Sequence, residues 1–62
     1  SGRVPIMAFA ANWLRNNQLK VGVQAEALRV AIQRNDVQRV TEIMERLGVG
    51  GAMQQLRPLP AQ

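Results

Sequence analysis

The sequence has 62 residues, with eight Lys and Arg against four Asp and Glu, and it contains no His, Cys or Tyr. These three residue types supply most of the side chains that transfer protons or attack electrophiles near neutral pH. Their absence predicts a protein that is not an enzyme and that has no metal site, no cofactor and no small-molecule substrate.

The length of the chain allows one domain with a thin core. A domain of about 60 residues buries only roughly 60% of the surface that it exposes when unfolded, so its stability is marginal. Disulfides and metal sites stabilise many small domains, but they require Cys or His. Well-packed helices or a partner chain must therefore supply the stability.

The first predicted element is a helix over residues 5–17. Pro5 suits the first turn of a helix, because the N–H that it lacks would have no partner there. Apolar residues recur at helical spacing on one face, with Met7 at its edge: Ile6, Phe9, Ala10, Trp13 and Leu14. Asn16 and Asn17 compete for backbone hydrogen bonds and predict the end of this helix. Residues 20–23 are expected to form the connection to the next helix.

Phe9 and Trp13 are the only aromatic residues, and they lie one turn apart. Trp often dominates the energetics of protein interfaces, so one interpretation makes the pair a binding hot spot. We expect instead that they fill the core, since a small bundle has no other large side chains. Trp13 should then be substantially buried, and Trp13→Ala should lower the free energy of unfolding by about 3–5 kcal/mol.

Two further helices are predicted over residues 24–34 and 36–47. The apolar face of the second helix consists of Ala25, Leu28, Ala31 and Ile32, whereas Val30 lies among polar residues. The third helix has a continuous apolar stripe: Val37, Val40, Ile43, Met44 and Leu47. Asn35 or Asp36 begins this helix, and Asn35 has the spacing of a capping box with Gln38. Gly48 is placed to end the helix in a left-handed conformation, so that Val49 folds back onto its last turn.

The remaining residues extend the domain by one or two helical turns over residues 52–57, which Pro58 ends. The helical domain is thus predicted over residues 5–57. Residues 1–4 are expected to be a disordered end or a cloning scar, and residues 58–62 a flexible tail that contains proline. No apolar run approaches the ~20 residues that span a bilayer, so no membrane span is expected and a cytoplasmic location is the default.

Three apolar stripes joined by short connections predict an all-α fold, a small antiparallel three-helix bundle. Self-association stays open as a further property, because it would bury more apolar surface in a domain with a thin core.

The missing catalytic side chains, the thin core and the position of Val30 predict a protein-interaction or oligomerisation module that is a segment of a larger protein. Its partner is then another protein or a second copy of the chain. The residues expected to contact the partner extend the apolar surface at the margins of the helices: Met7, Leu14, Val30, Met53 and Leu56.

The alternative is a small basic nucleic-acid-binding domain. A formal net charge of +4 and an isoelectric point near 11.6 are typical of proteins that bind nucleic acids. The candidate phosphate-binding residues are Arg15, Lys20, Arg29, Arg34 and Arg57. Arg15, Arg29 and Arg34 point in different directions on their helices, whereas a protein that reads a groove clusters its cations. The protein-interaction hypothesis therefore ranks first.

Overall fold

The computed structural model of the chain describes residues 5–54, with side chains as far as residue 52. Its helices are α1 (Pro5–Val21), α2 (Gln24–Gln33), α3 (Val37–Arg46) and the short α4 (Gly50–Gln54). The first three helices pack against one another, and α4 packs on α3. The predicted all-α three-helix bundle is confirmed. The structure does not describe residues 1–4, predicted as a disordered end or cloning scar, or residues 55–62, which include the predicted tail over residues 58–62.

Helix α1 continues to Val21, so the prediction that it ends near Asn17 is wrong. The Asn17 side-chain amide donates a hydrogen bond of 2.8 Å to the carbonyl oxygen of Trp13, one turn earlier. The next residue, Gln18, accepts a hydrogen bond from Arg29 of α2 at 3.3 Å. Because these contacts and the packing of Val21 against the core favour the helix, they outweigh the low helix propensity of asparagine.

The connection between α1 and α2 is therefore shorter than predicted and consists of Gly22 and Val23. Gly22 has a φ of +57°, a left-handed conformation that glycine adopts without the steric penalty of a side chain. A connection of this length places α1 and α2 side by side and antiparallel.

The turn between α2 and α3 ends one helix and begins the next. Asn35 has a φ of +59°. Its N–H donates to the carbonyl of Ile32, and the N–H of Asp36 donates to the carbonyl of Ala31, both at 3.0 Å, which is a Schellman motif. The Asp36 carboxylate then accepts the N–H of Arg39 at 3.0 Å and caps α3. The predicted capping box of Asn35 is wrong, because Asn35 occupies the left-handed position that ends α2.

We expect Asp36→Ala to lower the free energy of unfolding by about 1 kcal/mol, because the first turn of α3 loses its side-chain acceptor. Asp36→Asn is the matched control, since asparagine caps helices about as well as aspartate. Urea unfolding followed by circular dichroism measures both variants. An equal loss of unfolding free energy in Asp36→Ala and Asp36→Asn would contradict a capping role for the Asp36 side chain.

Gly48 ends α3 as predicted, with a φ of +86°. Its N–H donates to the carbonyl of Glu45 at 3.1 Å, and the N–H of Val49 donates to the carbonyl of Met44 at 3.0 Å. This is a second Schellman motif, and it directs Val49 back against the core. The turn positions α4 on α3.

The core between the three long helices is wholly apolar, since no polar or charged residue within the described part of the chain is buried. Its ten buried residues are Ile6, Met7, Ala10, Leu14, Ala25, Leu28, Ala31, Val40, Ile43 and Met44. Leu28, Ile43 and Met44 are the largest of those that are completely shielded from solvent. The predicted apolar faces of α2 and α3 therefore contain the residues that fill the core.

Phe9 and Trp13 lie beside this core rather than inside it. Both are partly exposed and pack against the buried cluster. Successive residues of a helix are about 100° apart, which places Phe9 and Trp13 to one side of the buried stripe that contains Ala10 and Leu14. Their rings therefore cover the edge of the core. Trp13 thus packs against the core as expected, but at its edge, where part of the ring stays exposed.

Candidate interaction surface

The five residues predicted to contact a partner do not form one surface. Met7 and Leu14 are only 5% and 6% exposed, so the expectation that they extend an exposed apolar surface is wrong. Their side chains turn to the centre of the bundle, where α2 and α3 cover them. Val30 is partly buried and lines a surface depression. Met53 lies in α4, and the structure describes its backbone but not its side chain. Leu56 lies outside the described residues.

The depression that Val30 lines lies between α2 and α3 and has a volume of about 350 Å³. Two basic and two acidic residues border it: Glu26, Arg34, Asp36 and Arg39. The Asp36 carboxylate caps α3, and Arg39 lies 3.6 Å from Glu42. Because its charges balance and several are already engaged, this depression favours no particular charge in a ligand.

Arg29, a candidate phosphate-binding residue, is engaged within the bundle. Its guanidinium forms a salt bridge with Glu26 on the same helix and donates a hydrogen bond to Gln18 of α1. Arg29 therefore helps to hold α2 against α1.

The other candidate cations are also separated. Arg34 borders the depression between α2 and α3, and Arg57 lies outside the described residues. Only Arg15 and Lys20 share a surface, at the C-terminal part of α1, where both border a depression of about 250 Å³. Of the four candidate cations that it describes, the structure thus brings together two, which is a weak basis for a nucleic-acid interface.

Two apolar side chains that the sequence analysis did not select are almost fully exposed. Leu19 is 98% exposed, and Val23 is 88% exposed. At about 100° per residue, Leu19 lies on the side of α1 opposite the buried stripe of Ala10 and Leu14. Val23 occupies the N-cap position of α2 and makes no side-chain cap hydrogen bond. A valine where Ser, Thr, Asp or Asn is preferred is the sequence signal that points to this residue.

We use the name α1–α2 corner for four exposed residues in the last part of α1 and the connection that follows it: Arg15, Leu19, Lys20 and Val23. Arg15 and Lys20 are exposed, and neither forms a salt bridge with another described residue. The first acidic residue of the chain is Glu26, so α1 contributes positive charge only. The α1–α2 corner therefore combines two exposed apolar side chains with two unpaired cations.

Within the described residues, no three side chains that commonly ligate metals lie close enough together to hold an ion. None of the described helices combines the length and the apolar character that crossing a bilayer requires. Among the described residues, those of the α1–α2 corner combine nearly full exposure of apolar side chains with cations that form no salt bridge.

Comparison with known proteins gives no assignment. No protein-family model matches the sequence, and no curated protein or solved structure has significant similarity to it. The function must therefore be inferred from the chemistry of the chain itself.

Proposed function

We propose that this chain is a non-enzymatic protein-interaction module that binds a partner protein through the α1–α2 corner. The exposure of Leu19 and Val23 is the observation that carries the proposal. Covering a large aliphatic side chain contributes about 1.5–3 kcal/mol, and the fold obtains none of this from either residue. A partner that covers both side chains therefore gains a contribution that the free chain lacks.

The position of these two residues supports a binding role. Single apolar residues scattered over a surface are common and need no function. Leu19, however, lies in the last turn of α1 and Val23 in the connection just after it, and Arg15 and Lys20 lie on the same part of α1. An apolar centre with a charged rim is the usual anatomy of a protein interface.

A partner of a different sequence fits this surface better than a second copy of the chain. A two-fold contact places the same surface patch of each copy against the other. Arg15 and Lys20 would then face their own counterparts, and α1 has no acidic residue to offset the repulsion. Sedimentation equilibrium over a wide range of concentrations should therefore show a monomer, whereas a dimer that Leu19→Ser abolishes would contradict this choice.

The test of the proposed function is a selection of random peptides displayed on phage against the immobilised full chain. We expect enriched peptides to bind the double variant Leu19→Ser/Val23→Ser at least ~10-fold more weakly than the original chain, the loss of about 1.4 kcal/mol that one uncovered side chain predicts. The matched control is Gln33→Ser/Gln38→Ser, which alters two exposed residues elsewhere. Its affinity should be unchanged.

The stability of the two double variants completes this test. Substitutions at exposed positions usually change the free energy of unfolding by less than about 0.5 kcal/mol, and serine is a preferred N-cap residue at position 23, so both variants should stay folded. Loss of binding can then be assigned to the surface. Peptides that bind the Leu19→Ser/Val23→Ser variant as tightly as the original chain, or a selection without any enrichment, would contradict the proposed function.

A further inference from the structure

We infer that the α1–α2 corner binds an acidic segment of another protein, with apolar side chains on Leu19 and Val23 and carboxylates on Arg15 and Lys20. This inference rests on the proposed function and adds the chemistry of the partner to it.

The arrangement of charge around Leu19 supports an acidic partner. At about 100° per residue, Leu19 lies between Arg15 and Lys20 around the axis of α1, on the side that faces away from the core. The two cations are also separated by about 7.5 Å along the helix, since each residue adds about 1.5 Å. One peptide segment can therefore contact Leu19 and bring a carboxylate to each cation.

Among the described residues, no carboxylate forms a salt bridge with either cation. The nearest acidic residue along the chain is Glu26, and Arg29 already forms a salt bridge with it. Both cations are exposed and hydrated, so each new ion pair with a partner contributes little to affinity. Charge thus selects the partner and orients it, while Leu19 and Val23 supply most of the affinity.

Phosphate ligands fit the same surface less well. Nucleic acid would use Arg15 and Lys20, but the exposed apolar side chains add nothing to phosphate binding, and no aromatic residue lies at the α1–α2 corner. An anionic membrane would need a long apolar helix face, whereas the apolar stripe of α1 is buried in the core. A peptide is the ligand that uses all four residues.

The composition and charge dependence of the selected peptides test the inference. We expect the enriched peptides to combine Asp or Glu with apolar residues. The variant Arg15→Glu/Lys20→Glu should weaken their binding at least ~10-fold, which corresponds to about 1.4 kcal/mol. The matched control is Arg34→Glu/Arg46→Glu, which changes the net charge equally at two exposed positions outside the corner. Its effect should be less than ~2-fold at 0.15 M salt, where charges more than about 8 Å apart are largely screened.

The acidic partner and the proposed function fail on different results. Enriched peptides that are neutral or basic, or equal weakening by the two charge variants, would overturn the acidic partner and leave the proposed function standing. Peptide binding that is independent of Leu19 and Val23 would overturn the proposed function itself. A 20-base-pair DNA duplex and vesicles of phosphatidylserine are the remaining probes, and we expect neither to bind at 0.15 M salt. Binding of either one that needs Arg15 and Lys20 but not Leu19 would replace the peptide with a phosphate ligand.

Discussion

Leu28→Ala is expected to lower the free energy of unfolding by about 2–5 kcal/mol, because Leu28 is completely shielded at the centre of the core and its removal leaves a cavity. A domain of this length has a total stability of roughly 3–9 kcal/mol at 0.05–0.15 kcal/mol per residue. The substitution should therefore remove a large part of the stability, and urea unfolding measures the loss.

Leu19→Ala is the matched control, since it makes the same chemical change at a residue that is 98% exposed. Its effect should be within about 0.5 kcal/mol. The contrast between the two leucines separates the core of the bundle from the α1–α2 corner. Equal destabilisation by the two substitutions would mean that Leu19 belongs to the fold and not to a binding surface.

Trp13→Ala is expected to have the second large effect, about 3 kcal/mol, at the lower end of the range for buried aromatic residues. The ring packs against the core but keeps part of its surface in water, so less apolar area is lost than at a fully buried site. Thermal unfolding measures the effect, and Trp13→Phe, which keeps an aromatic ring, should be milder. An unchanged melting curve for Trp13→Ala would show that the ring does not contribute to the core.

Much of the fold was predictable, because its main signals are local. The apolar stripe of α3 repeats at helical spacing, and Gly48 follows it where a left-handed residue ends a helix. The extra turn of α1 was not predictable in this way. The packing of Val21 against the core and the hydrogen bond between Gln18 and Arg29 of α2 favour this turn, and both involve residues distant in the sequence.

The candidate site was harder to predict than the fold. The apolar face of α1 is wide enough that either its Phe9–Trp13 side or its Met7–Leu14 side could turn to the centre. The approach of α2 and α3 decides between them and buries Met7 and Leu14. The exposure of Leu19 follows only once α1 is known to continue past Asn17. The sequence pattern selected Arg15 and Lys20 as candidate phosphate-binding residues, but it did not select Leu19 and Val23, the apolar residues of the proposed surface.

The most direct test of the α1–α2 corner is a nuclear magnetic resonance titration of the isotope-labelled chain with the tightest selected peptide. Binding at the proposed surface should change the amide chemical shifts of residues 15–23 and leave the residues around Val30 and Arg34 largely unchanged. Shift changes centred on the depression between α2 and α3, with residues 15–23 unaffected, would contradict the assignment of the α1–α2 corner as the binding surface.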